Sequence, residues 1–331
     1  MRVLVIGGTR FIGPRLVSRL VANGHEVAVF HRGQTDAVLP PAVRKLVGDR
    51  HRLADHADEF RRFCPDVVVD TILFTEQDAL SLIATFRGLA ARLVAISSGD
   101  VYRAYGVFTR LEPGPPETVP IKEDSPLRQV LFPYRAGVKA NDDKHDYEKI
   151  LVERVVMADT RLPATVLRLP MGYGPGDYQH RLAPYLKRML DGRRAILLDE
   201  GMGRWQCLRG YVEDVAAAIT LALTDPAASG RVYNVAEPTA YTEAEWVARI
   251  GAIVGWGGAI VSVPGGKLAV AFNTSQDLCV DTTRIRAELG YREVVDRDAA
   301  LSETVAWERD HLPELSVDYG EEDRLLAELQ R

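Results

Sequence analysis

The chain has 331 residues, of which 47% are hydrophobic, and its formal net charge at pH 7 is -5. This length and composition favour a folded protein with two lobes and argue against disorder. The acidic balance and the lack of lysine- or arginine-rich runs argue against a nucleic-acid or membrane partner and favour a small-molecule ligand. No apolar run approaches membrane-spanning length, and Met1 and Arg2 lead straight into an apolar stretch, so we expect a cytoplasmic protein.

The three cysteines, Cys64, Cys207 and Cys279, are odd in number and far apart. This spacing argues against a disulfide framework and against a zinc site. We therefore expect no metal, and we interpret the cysteines as packing residues.

The first predicted element is a buried strand over 3–6 that runs directly into a glycine turn, GGTRFIG. Apolar residues then recur at helical spacing, so the turn opens a helix whose free N–H groups and positive dipole end suit a phosphate. Strand, glycine turn and helix in this order predict a dinucleotide site, although a tight turn in another α/β fold is the alternative. The predicted cofactor contacts are Gly7, Gly8, Thr9, Arg10, Phe11, Ile12 and Gly13.

The second predicted strand ends in His31 and Arg32 and has no acidic residue at that end. An acid there would bind a ribose 2′-hydroxyl, whereas Arg10 and Arg32 would bind a 2′-phosphate. This pattern favours NADP over NAD, with NAD still possible; the alternative is that both arginines are solvated. Asp49 follows the third predicted strand and is a candidate partner of the adenine amine, or else a surface-turn aspartate.

Further along the chain, strands are predicted over 66–71, 93–98, 165–169 and 232–235, and helices over 76–91 and 147–158. This alternation predicts a Rossmann-type α/β fold, a doubly wound parallel sheet with ligands at the carboxyl ends of its strands. Six prolines between 111 and 146 predict a long loop over the mouth of the site. We assign 1–170, with 205–240 returning to it, to a dinucleotide-binding domain, and 171–204 and 241–331 to a smaller C-terminal substrate lobe.

Several motifs carry a resemblance to a known family. They are the glycine turn, SSGDVY at 97–102, the pair Lys149 and Glu153, RLPMGYGPGD at 168–177 and RGYVEDVA at 209–216. Together they resemble an extended or atypical short-chain dehydrogenase/reductase, and more narrowly the NAD-dependent epimerase/dehydratase branch that acts on nucleotide sugars. The resemblance implies transient hydride transfer at a sugar hydroxyl, giving epimerisation or dehydration. It also implies a homodimer that pairs through the helix carrying Lys149.

In that family a Ser or Thr after the fifth strand acts with a Tyr-x-x-x-Lys pair, and Ser98 and Lys149 match two of these positions. The resemblance gives Lys149 two roles, in lowering the pKa of the tyrosine and in holding the nicotinamide ribose. Four residues before Lys149, however, stands His145, and Tyr147 lies only two residues before it. On a continuous helix Tyr147 would lie on the opposite face.

Three explanations remain open for this altered pair. Tyr147 acts from a frayed helix start, or His145 is the proton shuttle, or redox catalysis has been lost. We favour Tyr147, and the next candidates are Asp100 and Tyr134. Dehydratases of the family carry an acidic residue at the position of Asp100 for proton transfer; a turn-stabilising aspartate is the alternative.

The candidate substrate contacts lie between the two predicted lobes and are Tyr178, His180, Arg181, Arg204 and Arg209. Arginines bind diphosphates and aromatic rings stack on bases, so this set suits a nucleotide sugar. Interlobe ion pairs and core packing are the alternative.

Two other functions are compatible with the sequence. One is an NADPH-dependent carbonyl reductase with net cofactor turnover. The other is a non-catalytic dinucleotide-binding or RNA-associated protein, because chloroplast stem-loop-binding proteins share the GGTRFIG turn. The acidic charge argues against RNA.

Overall fold

Seven parallel strands form the central sheet of the computed structural model, which describes residues 1–142 and 144–329. In chain order the strands are β1 (Arg2–Ile6), β2 (Glu26–His31), β3 (Arg44–Val47), β4 (Val67–Asp70), β5 (Arg92–Ser98), β6 (Ala164–Leu169), β7 (Met171–Tyr173), β8 (Ala195–Asp199), β9 (Gln206–Cys207), β10 (Arg209–Tyr211), β11 (Val232–Asn234), β12 (Tyr241–Thr242) and β13 (Ala259–Val263). The order in the large sheet is β11-β6-β5-β4-β1-β2-β3. The predicted doubly wound parallel fold is confirmed.

Helices cover both faces of this sheet and build the C-terminal part of the chain. They are α1 (Ile12–Ala22), α2 (Ala57–Phe63), α3 (Glu76–Phe86), α4 (Arg103–Phe108), α5 (Lys149–Ala158), α6 (Ala183–Leu190), α7 (Glu200–Arg204), α8 (Val212–Thr224), α9 (Glu243–Val254), α10 (Thr283–Leu289), α11 (Arg297–Asp310) and α12 (Tyr319–Leu329). Within the described residues, none of them combines the length and the apolar character needed to cross a membrane.

The apolar run of β1 is buried because helices cover both faces of the sheet. Successive side chains of a strand point to opposite faces. Val3 and Val5 therefore pack in the cluster that includes α1 and α8, while Leu4 and Ile6 pack in the cluster that includes α3 and α5. β1 pairs with β2 on one side and with β4 on the other, so the strand order reverses beside β1. The crevice outside the carboxyl ends of β1 and β4 is where ligands bind in such sheets.

A smaller set of elements follows β6. Strands β8 and β13 pair in parallel, and α6, α9 and α11 pack around a third apolar cluster that contains Tyr173 and Trp246. Strand β11 returns to the large sheet beside β6. The assignment of residues to two domains stays a prediction.

Three local expectations differ from the structure. The helix expected over 76–91 ends at Phe86, and the helix expected from Tyr147 begins at Lys149 because the Glu148 side chain caps it by accepting from the Ile150 N–H. Cys64 is exposed in a left-handed conformation at the end of α2, so it is not a packing residue. Cys207 is buried and packs with Phe108 and Trp205.

Candidate active site

The glycine turn after β1 is too tight to admit a side chain at position 13. A Cβ on Gly13 would lie 2.3 Å from the carbonyl carbon of Gly8, and Gly8 itself has a φ of +74°. Phe11 precedes α1 with a φ of 47°, a positive value that is costly for a residue with a Cβ, and such strained residues cluster at functional sites. Among the described side chains none caps the N-terminus of α1. The turn therefore has the close packing and the open N–H groups of a pyrophosphate cradle.

Thr71, immediately after β4, stabilises this turn through two hydrogen bonds of its hydroxyl group. Its hydroxyl donates to the Ile6 carbonyl at 2.9 Å and accepts from the Gly8 N–H at 3.2 Å. A Cβ on Gly7 would lie 2.2 Å from the same hydroxyl. Sequence reasoning did not single out Thr71, because nothing in the spacing of the chain shows that β4 lies beside β1.

The residues predicted for the adenosine end border one edge of the glycine turn. The exposed Arg10 donates from Nε to the Thr35 hydroxyl at 3.3 Å, which links the turn to the loop after β2. Arg32 is exposed at the end of β2, and Nδ1 of His31 accepts from the Gly33 N–H. The structure thus brings Arg10 and the loop that contains Arg32 together at the end of β2.

Asp49 and its neighbour Arg50 have different surroundings. The Asp49 carboxylate accepts from the His51 N–H at 3.0 Å and begins a 3-10 helix over 50–56, as a turn aspartate does. Arg50 is buried and pairs with Asp70, at the end of β4, at 2.7 Å. Burial raises the pKa of Asp70, and the charge of Arg50 opposes that rise. Sequence reasoning missed this buried pair; the only sign of it was an acid at the end of an apolar strand.

Tyr147 lies before the first turn of α5, and this position decides which groups it reaches. Because α5 begins at Lys149, the backbone at Tyr147 is not helical and its ring lies on the same side as the lysine, 5.5 Å from Nζ. The Tyr147 hydroxyl donates to Oδ2 of Asp100 at 2.9 Å. The Ser98 hydroxyl accepts from the Asp100 N–H at 3.2 Å. Ser98, Asp100, Tyr147 and Lys149 therefore form one cluster at the end of β5.

Asp100 is 4% exposed and accepts hydrogen bonds from two tyrosines. Its Oδ2 accepts from Tyr147 and, at 3.0 Å, from Tyr134 of the proline-rich loop. The Tyr134 hydroxyl lies 3.1 Å from that of Tyr105 in α4. Burial raises the pKa of Asp100, with the charge of Arg128 opposing the rise, and burial next to Asp100 holds the pKa of Tyr147 well above its usual value.

The ammonium of Lys149 connects two strand ends. It donates to the carbonyl of Leu73, after β4, at 2.6 Å and to that of Ile96, in β5, at 2.8 Å. Burial lowers its pKa to about 8, and the charge of Asp100 opposes that lowering. The lysine is therefore held as a cation at neutral pH, beside the crevice where the glycine turn ends.

Arg128 and Glu148 tie the proline-rich loop to the start of α5. Both side chains are 0% exposed, and Nη2 of Arg128 lies 3.1 Å from Oε1 of Glu148. Arg128 also donates to the carbonyl oxygens of Asp100 and Val130, and Glu148 accepts from the Phe132 N–H at 2.6 Å. One ion pair thus positions both the loop and the helix that carries Lys149.

The hydrogen bonds of His145 go to residues outside the cluster. Its Nδ1 is 3.0 Å from Oδ1 of Asp146, and its carbonyl oxygen accepts from Arg135. No hydrogen bond among the described residues joins it to Ser98, Asp100 or Lys149.

Residues from three of the motifs that carried the resemblance form a buried network next to the cluster. Glu153 accepts from the Ser97 hydroxyl at 2.6 Å and pairs with Arg168 at 2.7 Å. Arg168 also donates to the Tyr102 hydroxyl, which donates to Asn234 in β11. These residues join β5, β6, α5 and β11, and so fix the strand end on which Ser98 and Asp100 lie.

The arginines predicted to contact substrate are each paired with a carboxylate. Arg209 is buried and pairs with Glu243, Arg181 lies 2.8 Å from Asp177, and the exposed Arg204 pairs with Glu200. The pairs of Arg181 and Arg204 are local, with the carboxylate four residues earlier in the chain, whereas Arg209 pairs with a residue 34 positions away. Contact of these arginines with a substrate stays a prediction.

His180 and Tyr178 contact different parts of the molecule. His180 lies 2.8 Å from Glu308 and stacks on Trp307. Tyr178 is 66% exposed and makes an edge contact with Phe11 of the glycine turn. Of the five predicted substrate contacts, Tyr178 is therefore the one that borders the cofactor turn through an exposed side chain.

Comparison with known proteins agrees with this geometry. The NAD dependent epimerase/dehydratase family matches residues 3–236. A dTDP-glucose 4,6-dehydratase of Streptomyces niveus is 28% identical, over 94% of this chain and 94% of its own. A 2'-dehydrokanamycin reductase of Streptomyces kanamyceticus is 29% identical, over 71% of this chain and 62% of its own.

A solved structure shows the same fold. The Bordetella bronchiseptica enzyme WbmG, in complex with NAD and UDP, has a TM-score of 0.70 and 20% identity, over 96% of this chain and 99% of its own. The chain therefore belongs to the NAD dependent epimerase/dehydratase family and is an oxidoreductase-type enzyme with a nicotinamide cofactor.

Proposed function

We propose that this enzyme removes and returns a hydride at a hydroxyl of a nucleotide-linked sugar, giving epimerisation or dehydration. The observation that carries this proposal is the cluster of Ser98, Asp100, Tyr147 and Lys149 at the end of β5, beside the glycine turn. Support for the substrate class comes from relatives named dTDP-glucose 4,6-dehydratase, one of which aligns over 94% of both chains.

The chain's own residues fit the dinucleotide. Gly8 and Gly13 form the cradle that a Cβ would fill, and the N-terminus of α1 would face the pyrophosphate. Lys149 would hold the nicotinamide ribose. When bound, the nicotinamide supplies a reversible hydride acceptor. Tyr147 then exchanges a proton with the substrate hydroxyl at Oη, and Ser98 orients that hydroxyl.

We infer a preference for NADP over NAD. Arg10 and the loop that contains Arg32 meet at the end of β2, and no acidic residue stands at positions 31–33 to bind a ribose 2′-hydroxyl. Calorimetric titration of both cofactors tests this inference. Arg32→Ala should reduce the difference in binding free energy between NADP and NAD by about 1–3 kcal/mol. Equal affinities of the unmodified protein for NADP and NAD would contradict the inferred preference.

The reaction itself is tested with a panel of nucleotide sugars. Because the hydride returns within one site, conversion should proceed without net change in the absorbance of reduced nicotinamide, and mass spectrometry should detect an isomer or the loss of water. Arg61→Gln removes an exposed arginine of α2 that pairs with Asp58, outside the predicted site, and serves as a control that should leave turnover unchanged.

A second candidate is a carbonyl reductase that acts on a substrate without a diphosphate. Two observations favour it: one relative is named 2'-dehydrokanamycin reductase, and Arg181, Arg204 and Arg209 are each already paired with a carboxylate. Stoichiometric consumption of NADPH with a carbonyl compound would identify this activity. No turnover with either class, while cofactor binds, would favour a non-catalytic role.

We also infer a homodimer. Helices α3 and α5 pack side by side on one face of the sheet and expose Leu80 and Met157. Sedimentation velocity should give the mass of a dimer for the native protein and of a monomer for Leu80→Glu with Met157→Glu. A native monomer would refute the inference.

A further inference from the structure

The hydrogen bonds around Asp100 have a direction. Asp100 as a carboxylate only accepts, so Tyr147 and Tyr134 both donate to its Oδ2. Since the Tyr134 proton is used in this bond, Tyr105 donates to Tyr134. The other carboxylate oxygen, Oδ1, is buried and has no hydrogen-bond partner among the described residues. The result is a short chain of hydroxyl groups that ends on a single carboxylate.

This arrangement disfavours the phenolate form of Tyr147 before substrate binds. A second negative charge 2.9 Å from the carboxylate would be strongly repelled in a site with little water. The ammonium of Lys149 is the natural counter-charge for a phenolate, but it is bonded to two backbone carbonyls and lies 5.5 Å from the centre of the Tyr147 ring. The negative charge of the pair therefore resides on Asp100.

We propose that the Asp100 carboxylate is the group that finally accepts the proton of the substrate hydroxyl. Tyr147 relays the proton to Asp100, and Tyr134 is a positioning residue that holds the Asp100 carboxylate in place. The proposal rests on the proposed function in one respect, that a substrate hydroxyl is oxidised next to Tyr147. It assigns to Asp100 a part in the oxidation step that is separate from any later loss of water.

The proton balance is simple. The substrate O–H bond breaks and its proton binds Oη of Tyr147, while the phenol proton of Tyr147 moves to Oδ2 of Asp100. The carbinol hydrogen leaves with its electron pair in the hydride transfer described above. Tyr147 is a neutral phenol before and after, and Asp100 changes from a carboxylate to a carboxylic acid. The reverse movement returns the proton when the hydride returns.

The first test is the pH dependence of turnover. The charged groups facing Asp100 are Arg128 and Lys149, and the titratable groups are the three tyrosines of the hydroxyl chain. Because Asp100 must be deprotonated to accept, the acidic limb of the kcat profile reports its pKa. Tyr134→Phe removes one donor to the charged form and should move this limb to higher pH by about one to two units. Tyr105→Phe is the matched control, since it removes a hydroxyl one bond farther away, and it should move the limb less.

Asp100→Asn separates the relay from direct catalysis by a phenolate. If Asp100 is the acceptor, this change should lower kcat by about 10²–10⁴-fold at every pH. If a Tyr147 phenolate is the base, removing the adjacent negative charge should lower the pKa of Tyr147, move the acidic limb to lower pH and preserve or raise turnover. The second result would overturn the proposal.

A measurement on the protein without cofactor or substrate gives an independent readout. Ultraviolet difference titration counts tyrosines as they ionise. In Asp100→Asn one tyrosine should ionise at lower pH than in the native protein, and this change should disappear in Asp100→Asn with Tyr147→Phe. An unchanged tyrosine titration would show that the two groups are not coupled and would overturn the relay. Because no substrate is needed, failure of the relay is distinguished from failure of the proposed substrate class.

Discussion

Replacing Arg128 by methionine should destabilise the protein far more than removing an exposed arginine. The Arg128 and Glu148 side chains are both 0% exposed, so Arg128→Met leaves a buried carboxylate without its counter-charge. Removing one partner of a buried pair costs about 3–5 kcal/mol. The carbonyl oxygens of Asp100 and Val130 also lose a donor, at about 1–3 kcal/mol for each group that stays dry. We therefore expect Arg128→Met to lower the free energy of unfolding by about 5 kcal/mol or more.

Urea unfolding measures this free energy directly. The matched control is Arg204→Met, because Arg204 and Glu200 form a pair that is 69% and 52% exposed and should contribute less than about 1 kcal/mol. Glu148→Gln removes the charge and keeps an acceptor oxygen for only one of the N–H groups of Phe132 and Ile150, which donate to different carboxylate oxygens. The double variant with Arg128→Met should cost less than the sum of the two single changes. A loss for Arg128→Met no larger than that for Arg204→Met would refute the reasoning.

Three further predictions concern the cofactor site and the catalytic cluster. Gly13→Ala should weaken cofactor binding at least about tenfold in calorimetry, because its Cβ meets the Gly8 backbone, whereas Gly257→Ala has nothing within 4 Å and should bind normally; equal affinities would contradict the cradle. Between pH 8 and 10.5 the free energy of unfolding of the native protein should rise by up to about 3 kcal/mol relative to that of Lys149→Met. The reason is that Lys149 has a pKa of about 8 in the folded protein and releases its proton there, while the unfolded lysine still binds one. Parallel plots of unfolding free energy against pH for the two proteins would contradict this assignment. Tyr147→Phe should lower turnover by about 10²–10⁴-fold and His145→Gln should not; the opposite result would transfer the role to the histidine.

Much of the sheet was predictable from local pattern, and the reason is the burial of both faces. A parallel strand between two helical layers is apolar over most of its length, so runs such as 3–6 and 67–69 stand out in the sequence. The glycine turn was predictable for a similar reason, because close backbone packing at Gly13 admits only one residue type.

The catalytic cluster was less predictable because one capping residue determines its geometry. The sequence shows Tyr147 two positions before Lys149, which on a helix places them on opposite faces. Glu148 is the N-cap of α5, so the helix begins at Lys149 and does not include Tyr147. An acidic residue at position 148 does not by itself predict that the helix begins there. The bond from Tyr134 to Asp100 spans 34 residues and depends on how the proline-rich loop folds back. The partner of Arg209, Glu243, is likewise 34 residues away and was fixed only by the tertiary structure.

The contact between Phe11 and β7 constrains how this sequence can change over evolutionary time. A methyl group at Gly172 would lie 3.1 Å from the Phe11 ring, and the same ring meets the edge of Tyr178. A larger residue at 172 would displace the Phe11 ring and, because Phe11 is part of the dinucleotide turn and has a strained positive φ, the turn itself. Positions 11 and 172 should therefore vary together among descendants of this chain, an aromatic ring at the first being retained only where the second stays small.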